Sequence, residues 1–579
     1  MTEIQTLKQT NFTRIDMNEK EWWKKSIVYQ IYPRSFMDQN GDGVGDLQGI
    51  ISKLDYFQEL GVNVIWLCPV YQSPMDDGGY DIADYYQIDP MFGTNQDMDQ
   101  LIEQADARGI KILMDLVVNH TSDEHAWFQE ALTDPNSKYR DYYIFRKGID
   151  GQAPNNWRSY FGGSAWEKVP NEENMFYLHA FSKKQPDLNW ENPEVREECI
   201  NMINWWLEKG LGGFRIDAIL NLKKRIEYGQ LPADGEDGLA FIGHWILNQP
   251  GIEEWLAEID QRTFRKYNAL TVAEADVPED QLSRYIGEDG YFRMIFDFSY
   301  TDIDVPETGE WFLQSNWTVK ELKENILQNE LTTQKFGWGA KYLENHDQPR
   351  SINKYLPNEY QNDHSKKMLA TLFMMLQGTP FIYQGQEIGM TNIRMDEMSD
   401  YDDIATHDQY RRAMLSGMSP EAAFEGMYLR SRDNNRTPMQ WSDQKNAGFS
   451  GAEQTWIKVN SNYQTINVEA ELNDDQSVLA FYQKLIALRR QAGPYQEAII
   501  FGEVVPYEVP QEEIIAYKRS TAEEEVLVIV NFSANHQIVK LDGSYELLIG
   551  NQAYQTNLEQ IKLVPYGSLV LGKKSEESK

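Results

Sequence analysis

Three carboxylates stand where short β-rich apolar runs end. Asp217 closes Gly213-Phe214-Arg215-Ile216-Asp217, Glu274 follows Val272-Ala273, and Asp347 ends Glu344-Asn345-His346-Asp347. An acidic residue within a strand is disfavoured, and a buried carboxylate is costly unless paired. Any one alone reads as a structural ion pair. Three together, with Arg215, His346 and His120 beside them, supply what hydrolysis of a glycosidic bond needs: one carboxylate to attack the sugar and another to donate a proton.

A second cluster is Asp38-Gln39-Asn40-Gly41-Asp42-Gly43-Val44-Gly45-Asp46. Oxygen-bearing side chains at alternate positions, with glycines for the tight turn, match the first part of a calcium loop. The acid that would complete an EF-hand is missing, because its position holds Gly49. An Asx-rich turn without metal is the other reading of the same spacing. Trp157, Tyr160, Phe161 and Trp166 are either platforms for sugar rings or the core of their own segment.

The elements that must position these groups follow a repeating rhythm. Apolar β-rich runs at 27–32, 62–68, 111–117, 213–217, 270–274, 291–298, 339–343 and 379–383 alternate with helical patterns at 50–60, 98–108, 195–209 and 366–376. Eight such strands joined by helices predict a parallel sheet closed into a (β/α)8 TIM barrel. An open doubly wound sheet has the same rhythm, but no glycine-rich phosphate loop follows the first strand. Some seventy residues rich in Trp, Tyr, Asn and Gly follow the third strand. They predict an inserted subdomain at 121–190 over the barrel mouth, with the barrel formed by 1–120 and 191–495. Long segments also follow the fourth strand (220–256) and the eighth (392–443), all at the end where barrel enzymes keep their chemistry. Beyond about 495, runs at 514–520, 526–532, 537–541, 545–550 and 561–572 predict an all-β C-terminal sandwich over 496–579, with a frayed charged tail at 573–579.

Composition narrows the partners. Lys and Arg total 54 against 90 Asp and Glu, a formal charge of −36, which repels nucleic-acid phosphates and anionic lipid. The most apolar stretch, 368–383, is broken by Gln377-Gly378-Thr379-Pro380 and is too short to span a bilayer. Two cysteines, Cys68 and Cys199, leave no disulfide framework or cysteine metal site. With a polar N-terminal stretch lacking an apolar signal core, the expectation is a cytoplasmic protein acting on a small neutral substrate.

Four segments in order, Asp115-Leu116-Val117-Val118-Asn119-His120, Gly213-Phe214-Arg215-Ile216-Asp217, Glu274 and Glu344-Asn345-His346-Asp347, resemble the signature regions of the α-amylase family, glycoside hydrolase family 13. Gln185-Pro186-Asp187-Leu188-Asn189 and the stretch from Arg432 to Trp441 resemble its oligo-1,6-glucosidase and α-glucosidase subgroup. The resemblance implies Asp217 as nucleophile, Glu274 as general acid and base with a raised pKa, and Asp347 as stabiliser of the transition state. It implies that Asp77, Tyr80, His120, His346 and Arg432 enclose the terminal glucose, with an Asp77–Arg432 pair closing the pocket end, and that Arg215, also of the substrate site, stays close to Asp217 and holds it ionised. Relatives commonly have Asn where this chain has Gly78, which leaves the path of that loop open. Relatives also hold a structural Ca²⁺ or Mg²⁺ in the 38–46 loop, which would make Asp38, Asn40, Asp42, the Val44 carbonyl and Asp46 its ligands.

The implied activity is an exo-acting, retaining α-glucosidase working on short malto-oligosaccharides. The α-1,4 preference rests on Ala218, next to the nucleophile, where relatives selective for α-1,6 bonds commonly carry Val. Alternatives are an oligo-1,6-glucosidase, a trehalose-6-phosphate hydrolase, and a sucrose-isomerising or glucosyl-transferring relative. A non-catalytic transporter-associated member is disfavoured, since this chain keeps all three carboxylates.

Overall fold

The computed structural model describes residues 12, 15–16, 19–235, 237–306, 309–555 and 559–574. Eight parallel strands close into a barrel: β1 (Val28–Ile31), β2 (Val64–Leu67), β3 (Lys111–Val117), β4 (Gly213–Asp217), β5 (Leu270–Ala273), β6 (Met294–Phe296), β7 (Gly339–Lys341) and β8 (Thr379–Tyr383). Each pairs with its neighbours in sequence, and β1 closes the ring on β8. The strands read as unbroken apolar runs because helices cover one face and the barrel interior the other. β6 is shorter than expected. The N–H groups of Tyr291 and Phe292 bond back to Arg284 and Tyr285, so those two residues finish a turn instead of starting a strand.

The register sets the chemistry. Asp217 pairs with Val117 at the last rung between β4 and β3. Glu274 lies one residue beyond β5, and its N–H continues the ladder onto the Ile216 carbonyl at 2.9 Å. Gly213 lets β4 enter this register: its φ is 146°, and a Cβ there would lie 1.7 Å from the Leu270 carbonyl oxygen.

The insertion after β3 contains a three-stranded antiparallel sheet, Phe145–Lys147, Met175–Leu178 and Trp166–Lys168. It does not end at 190 as a structural unit. Trp157–Arg158 pairs with Ala240–Phe241 from the segment after β4, and Ile242 and Ile246 complete its core. Arg158 reinforces the junction through Asp234 at 2.6 Å and Asp237 at 3.2 Å.

The C-terminal domain holds β9 (Glu503–Pro506), β10 (Ile514–Ser520), β11 (Glu524–Asn531), β12 (Gln537–Lys540), β13 (Glu546–Gly550), β14 (Gln560–Leu563) and β15 (Ser568–Lys574). Five form one sheet in the order β9-β10-β11-β15-β13, and β12 pairs with β14. The single strand expected over 561–572 is two strands, because Pro565, Tyr566 (φ 53°) and Gly567 turn the chain between them. Alternate residues of the large sheet face opposite ways. Ile514, Ala516, Leu527 and Ile529 pack on the smaller sheet, while Ile515, Tyr517, Val526 and Val528 join the main core on the side of the helix Asp363–Met374. Residues 575–579 of the expected frayed tail lie outside the described residues. No helix among the described residues is long and apolar enough to cross a membrane.

Candidate active site

The site is organised by Arg215. Its position on β4 points the guanidinium into the barrel, where its side chain is 2% exposed. Nη1 donates to Asp115 Oδ1 at 2.6 Å and to Asp217 Oδ1 at 2.7 Å, and Nη2 meets Glu274 Oε2 at 3.0 Å. One cation thus holds three carboxylates from three adjacent strands, which leaves the buried Asp115 and Asp217 only partly compensated. Burial pushes the Asp217 carboxyl upward; Arg215 opposes this, and the Glu274 and Asp115 charges add to the rise. Burial likewise pushes Asp115 up to about 6 against the pull of Arg215. Glu274 is less enclosed than the sequence suggested, with a side chain 30% exposed.

Ala218 has an unexpected role. It sits in the left-handed region (φ 41°, ψ 33°), and its N–H donates to Glu274 Oε2 at 3.2 Å. The residue following Asp217 therefore helps to hold Glu274 through its backbone.

Asp347 follows β7 and accepts from Arg432 Nη1 at 3.2 Å and Arg436 Nη2 at 3.0 Å, while His346 Nε2 lies 3.1 Å from its other oxygen. Burial raises the Asp347 carboxyl, but the Arg432, Arg436 and Arg215 guanidiniums pull it the other way and hold Asp347 below the usual carboxylate range. Burial drives His346 down to about 3, so the ring is neutral at ordinary pH. Gln30 Nε2 lies 2.8 Å from His346 Nδ1, and the Tyr80 hydroxyl 2.6 Å from Nε2. The Tyr80 and His346 rings stack with centroids 5.4 Å apart. Tyr80 also donates to Asp115 at 3.1 Å, as does Trp66 at 2.9 Å.

The expected Asp77–Arg432 pair is present at 3.0 Å. Arg432 is itself anchored by Asp403, with two N–H groups on one oxygen at 2.6 and 2.9 Å. Gln185 donates to the other Asp77 oxygen at 3.1 Å. Gly78, the departure from the family pattern, has φ 58°. Asn and Gly are the two residues that take this conformation most readily, so the exchange preserves the turn. His120 is buried beside Phe181, with ring centroids 5.2 Å apart, and burial lowers its pKa to about 4.

The aromatic cluster divides between its two readings. Trp157 and Trp166 are core residues of the insertion. Tyr160 stacks on Phe181 at 4.8 Å, and Phe161 lies under the Arg432 guanidinium at 5.4 Å, so these two belong to the mouth. Asp115, Gln185, Asp403 and Arg436 carried no assigned role in the sequence reading. Asp115 had a visible signal, an acid in the middle of an apolar strand. Asp403 had none, since it lies in a polar segment without pattern.

The 38–46 loop sits apart from this centre. Asp38 accepts N–H bonds from Gly41 (2.6 Å) and Gly43 (2.8 Å), and Asp46 from Gln39 and Asn40 (both 3.0 Å) and Gly49 (2.6 Å). Asn40 and Asp42 cap the N–H groups of Asp42 and Val44, each at 2.9 Å. These oxygens are hard donors of the type calcium takes, and each carboxylate keeps spare lone pairs. Among the described residues, however, no three carboxylate, imidazole or thiol groups are gathered for one ion.

Comparison with known proteins matches residues 30–499 to "Alpha amylase, catalytic domain". The chain belongs to the α-amylase family. Residues 514–570 match the α-amylase SusG C-terminal domain. This family member is 45% identical to an oligo-1,6-glucosidase of Bacillus cereus, over 95% of this chain and 99% of that one. It is 41% identical to a trehalose-6-phosphate hydrolase of Bacillus subtilis (strain 168), over 95% and 98% of the two chains. Among solved structures, an isomaltulose synthase from Klebsiella sp. LX3 superposes with a TM-score of 0.90 at 36% identity, covering 95% of this chain and 99% of that one.

Proposed function

We propose that this glycoside hydrolase is an exo-acting, retaining α-glucosidase that removes glucose from the non-reducing end of short α-linked oligosaccharides. The observation that carries the reading is the single guanidinium of Arg215 in contact with both Asp217 and Glu274. A retaining enzyme holds its two carboxyl groups about 5–5.5 Å apart, closer than the roughly 6.5–9.5 Å that leaves room for water, and one guanidinium spanning both is in keeping with the shorter spacing. Asp217 attacks C1 while Glu274 protonates the departing oxygen; Glu274 then deprotonates the water that releases α-glucose. Glu274 Oε2 is engaged by Arg215 and Ala218, so the proton travels through Oε1. Asp347, held ionised by its arginines, stabilises the positive charge developing on the ring. The Asp77–Arg432–Asp403 cluster blocks one end of the site, so only a terminal sugar is accepted.

For linkage, the names of several similar relatives favour α-1,6 bonds. Ala218 favours a second reading, α-1,4 preference, because it leaves space beside the nucleophile. Rates on maltose, isomaltose, sucrose and trehalose 6-phosphate separate these, with the released anomer followed by NMR. Release of β-glucose would reject the retaining mechanism, and inactivity on all four would reject the activity. Calcium or magnesium in the 38–46 loop is part of the same proposal. It is supported by the hard-oxygen donors, although a cation would have to draw Asp38, Asp42 and Asp46 together.

A further inference from the structure

Behind the sugar pocket lies a lysine that the reaction does not use. Lys224, in the segment after β4, has a side chain only 2% exposed. Its ammonium donates to Asn119 Oδ1 at 2.6 Å and pairs with Asp187 Oδ2 at 3.1 Å. Asn119 ends the β3 run, and Asp187 comes from the insertion, bridged backbone to backbone with His120. A buried ammonium can only donate, so the oxygen of the Asn119 amide must face it. The amide nitrogen then faces the other way, 3.2 Å from His120 Nδ1 and 3.4 Å from Asp187 Oδ1. Facing an N–H donor, Nδ1 must accept, which leaves the ring proton on Nε2. That atom lies 3.1 Å from the Tyr80 carbonyl, an acceptor for the proton, and 3.2 Å from the Gln185 amide nitrogen, whose N–H donates to Asp77; Gln185 and Asp77 close the glucose site.

We infer that Lys224 and Asn119 are positioning residues: the lysine orients the amide, the amide selects the Nε2–H tautomer of His120, and the tautomer keeps on Nε2 an N–H, held at the Tyr80 carbonyl, that the terminal sugar can share. The Tyr80 carbonyl, an acceptor at Nε2, decides the polarity over the Gln185 amide nitrogen, which faces the same atom but is committed to Asp77. Asp187 and Phe181 approach from the insertion, Lys224 from the segment after β4, and Tyr80 and, through Gln185, Asp77 from the segment after β2. Asp187 is already occupied by Lys224 and the Ala180 N–H at 2.9 Å, so it offers His120 no competing acceptor. The inference rests on the proposed function only in placing His120 against the sugar.

Asn119→Asp is the decisive variant, since it keeps the shape, Lys224 and Asp187 but turns an acceptor toward Nδ1. His120 must then keep its proton on Nδ1, and Nε2–H persists only while the ring is an imidazolium. The variant's kcat/KM should therefore fall as pH rises from 5 to 8, by about tenfold and mainly through KM, as for one lost hydrogen bond. The wild type should show no such step. The chain has 8 histidines, so ¹⁵N-histidine labelling of the intact protein, with His120→Gln for assignment, reads the tautomer directly. Nε2–H in the wild type, Nδ1–H in Asn119→Asp and a mixture in the charge-neutral Lys224→Met/Asp187→Asn double variant are expected. Nδ1–H in the wild type, or an Asn119→Asp ring with unchanged tautomer, would overturn the relay. A switched tautomer with unchanged KM would uphold the relay and remove His120 from the sugar in the proposed function.

Discussion

At the residue scale, the predictions separate chemistry from scaffold. Asp217→Asn and Glu274→Gln should each lower hydrolysis by several orders of magnitude; general-acid help alone is worth roughly 10²–10⁴-fold. More than a tenth of wild-type activity in either variant would reassign that residue. Ala218 needs an experiment that reads stability beside linkage preference. A valine there adds bulk beside Asp217, and φ is 41° at this residue. A β-branched side chain is strained in that region by about 1–3 kcal/mol. Ala218→Val should therefore lower the melting temperature; because relatives selective for α-1,6 bonds accept Val at this position, kcat/KM should fall more on maltose than on isomaltose. Ala218→Gly, which suits the conformation, should retain both. If Ala218→Val keeps its melting temperature and changes only the maltose-to-isomaltose ratio, the side chain acts by bulk alone.

At the scale of elements, the loop 38–46 and the insertion illustrate two ways of holding a strand end. The loop is tied by Asx bonds to its own backbone and N-caps the helix Leu47–Ser52 through Asp46. If it also binds Ca²⁺, saturating metal at about 100 times Kd adds about 2.7 kcal/mol to the folded state. Chelation should then lower the melting temperature while leaving turnover at moderate temperature intact. An unchanged melting curve, with no metal found in the purified protein, would reject the site. The insertion instead borrows Ala240–Phe241 from the next long segment, so Tyr160 and Phe161 reach the mouth on a shared frame.

For the whole molecule, two predictions concern how the parts unfold together. Arg519 of β10 is fully buried and donates to the carbonyls of Met375 (2.7 Å), Gly502 (3.0 Å) and Ile500 (3.1 Å). It ties the C-terminal sheet to the end of the helix Asp363–Met374 that leads into β8. Arg519→Ala leaves three carbonyls unpaired, at about 1–3 kcal/mol each, and should lower one common unfolding transition. Two separated transitions in calorimetry would show that the domains are not coupled there. The second prediction is about acid. Burial takes His346 from its ordinary 6.5 to about 3, so the native state refuses a proton that the unfolded chain accepts. Its contribution is complete above pH 6.5 and is lost as pH falls toward 3. The stability advantage of wild type over His346→Gln should accordingly shrink by about 1.4 kcal/mol per pH unit between pH 6 and 4 in urea titrations. An advantage that stays constant with pH would mean that His346 is not buried neutral.

Strand rhythm and turn chemistry are local properties, so the eight strands, the insertion and the β-rich C-terminal region were legible in the chain alone. The same holds for Asp217, Glu274 and Asp347, because an acid at the end of an apolar strand conflicts with its surroundings and so stands out. What closed only in three dimensions are the contacts made across long sequence separations. Asp403 anchors Arg432, Trp157–Arg158 pairs with Ala240–Phe241, and Lys224 reaches Asn119 from 105 positions away. Nothing in the local pattern of a polar loop residue says which charge it will meet. That is decided by the barrel register, which brings the ends of distant strands to one mouth, and by the low-dielectric pocket there, which makes each buried charge find a partner.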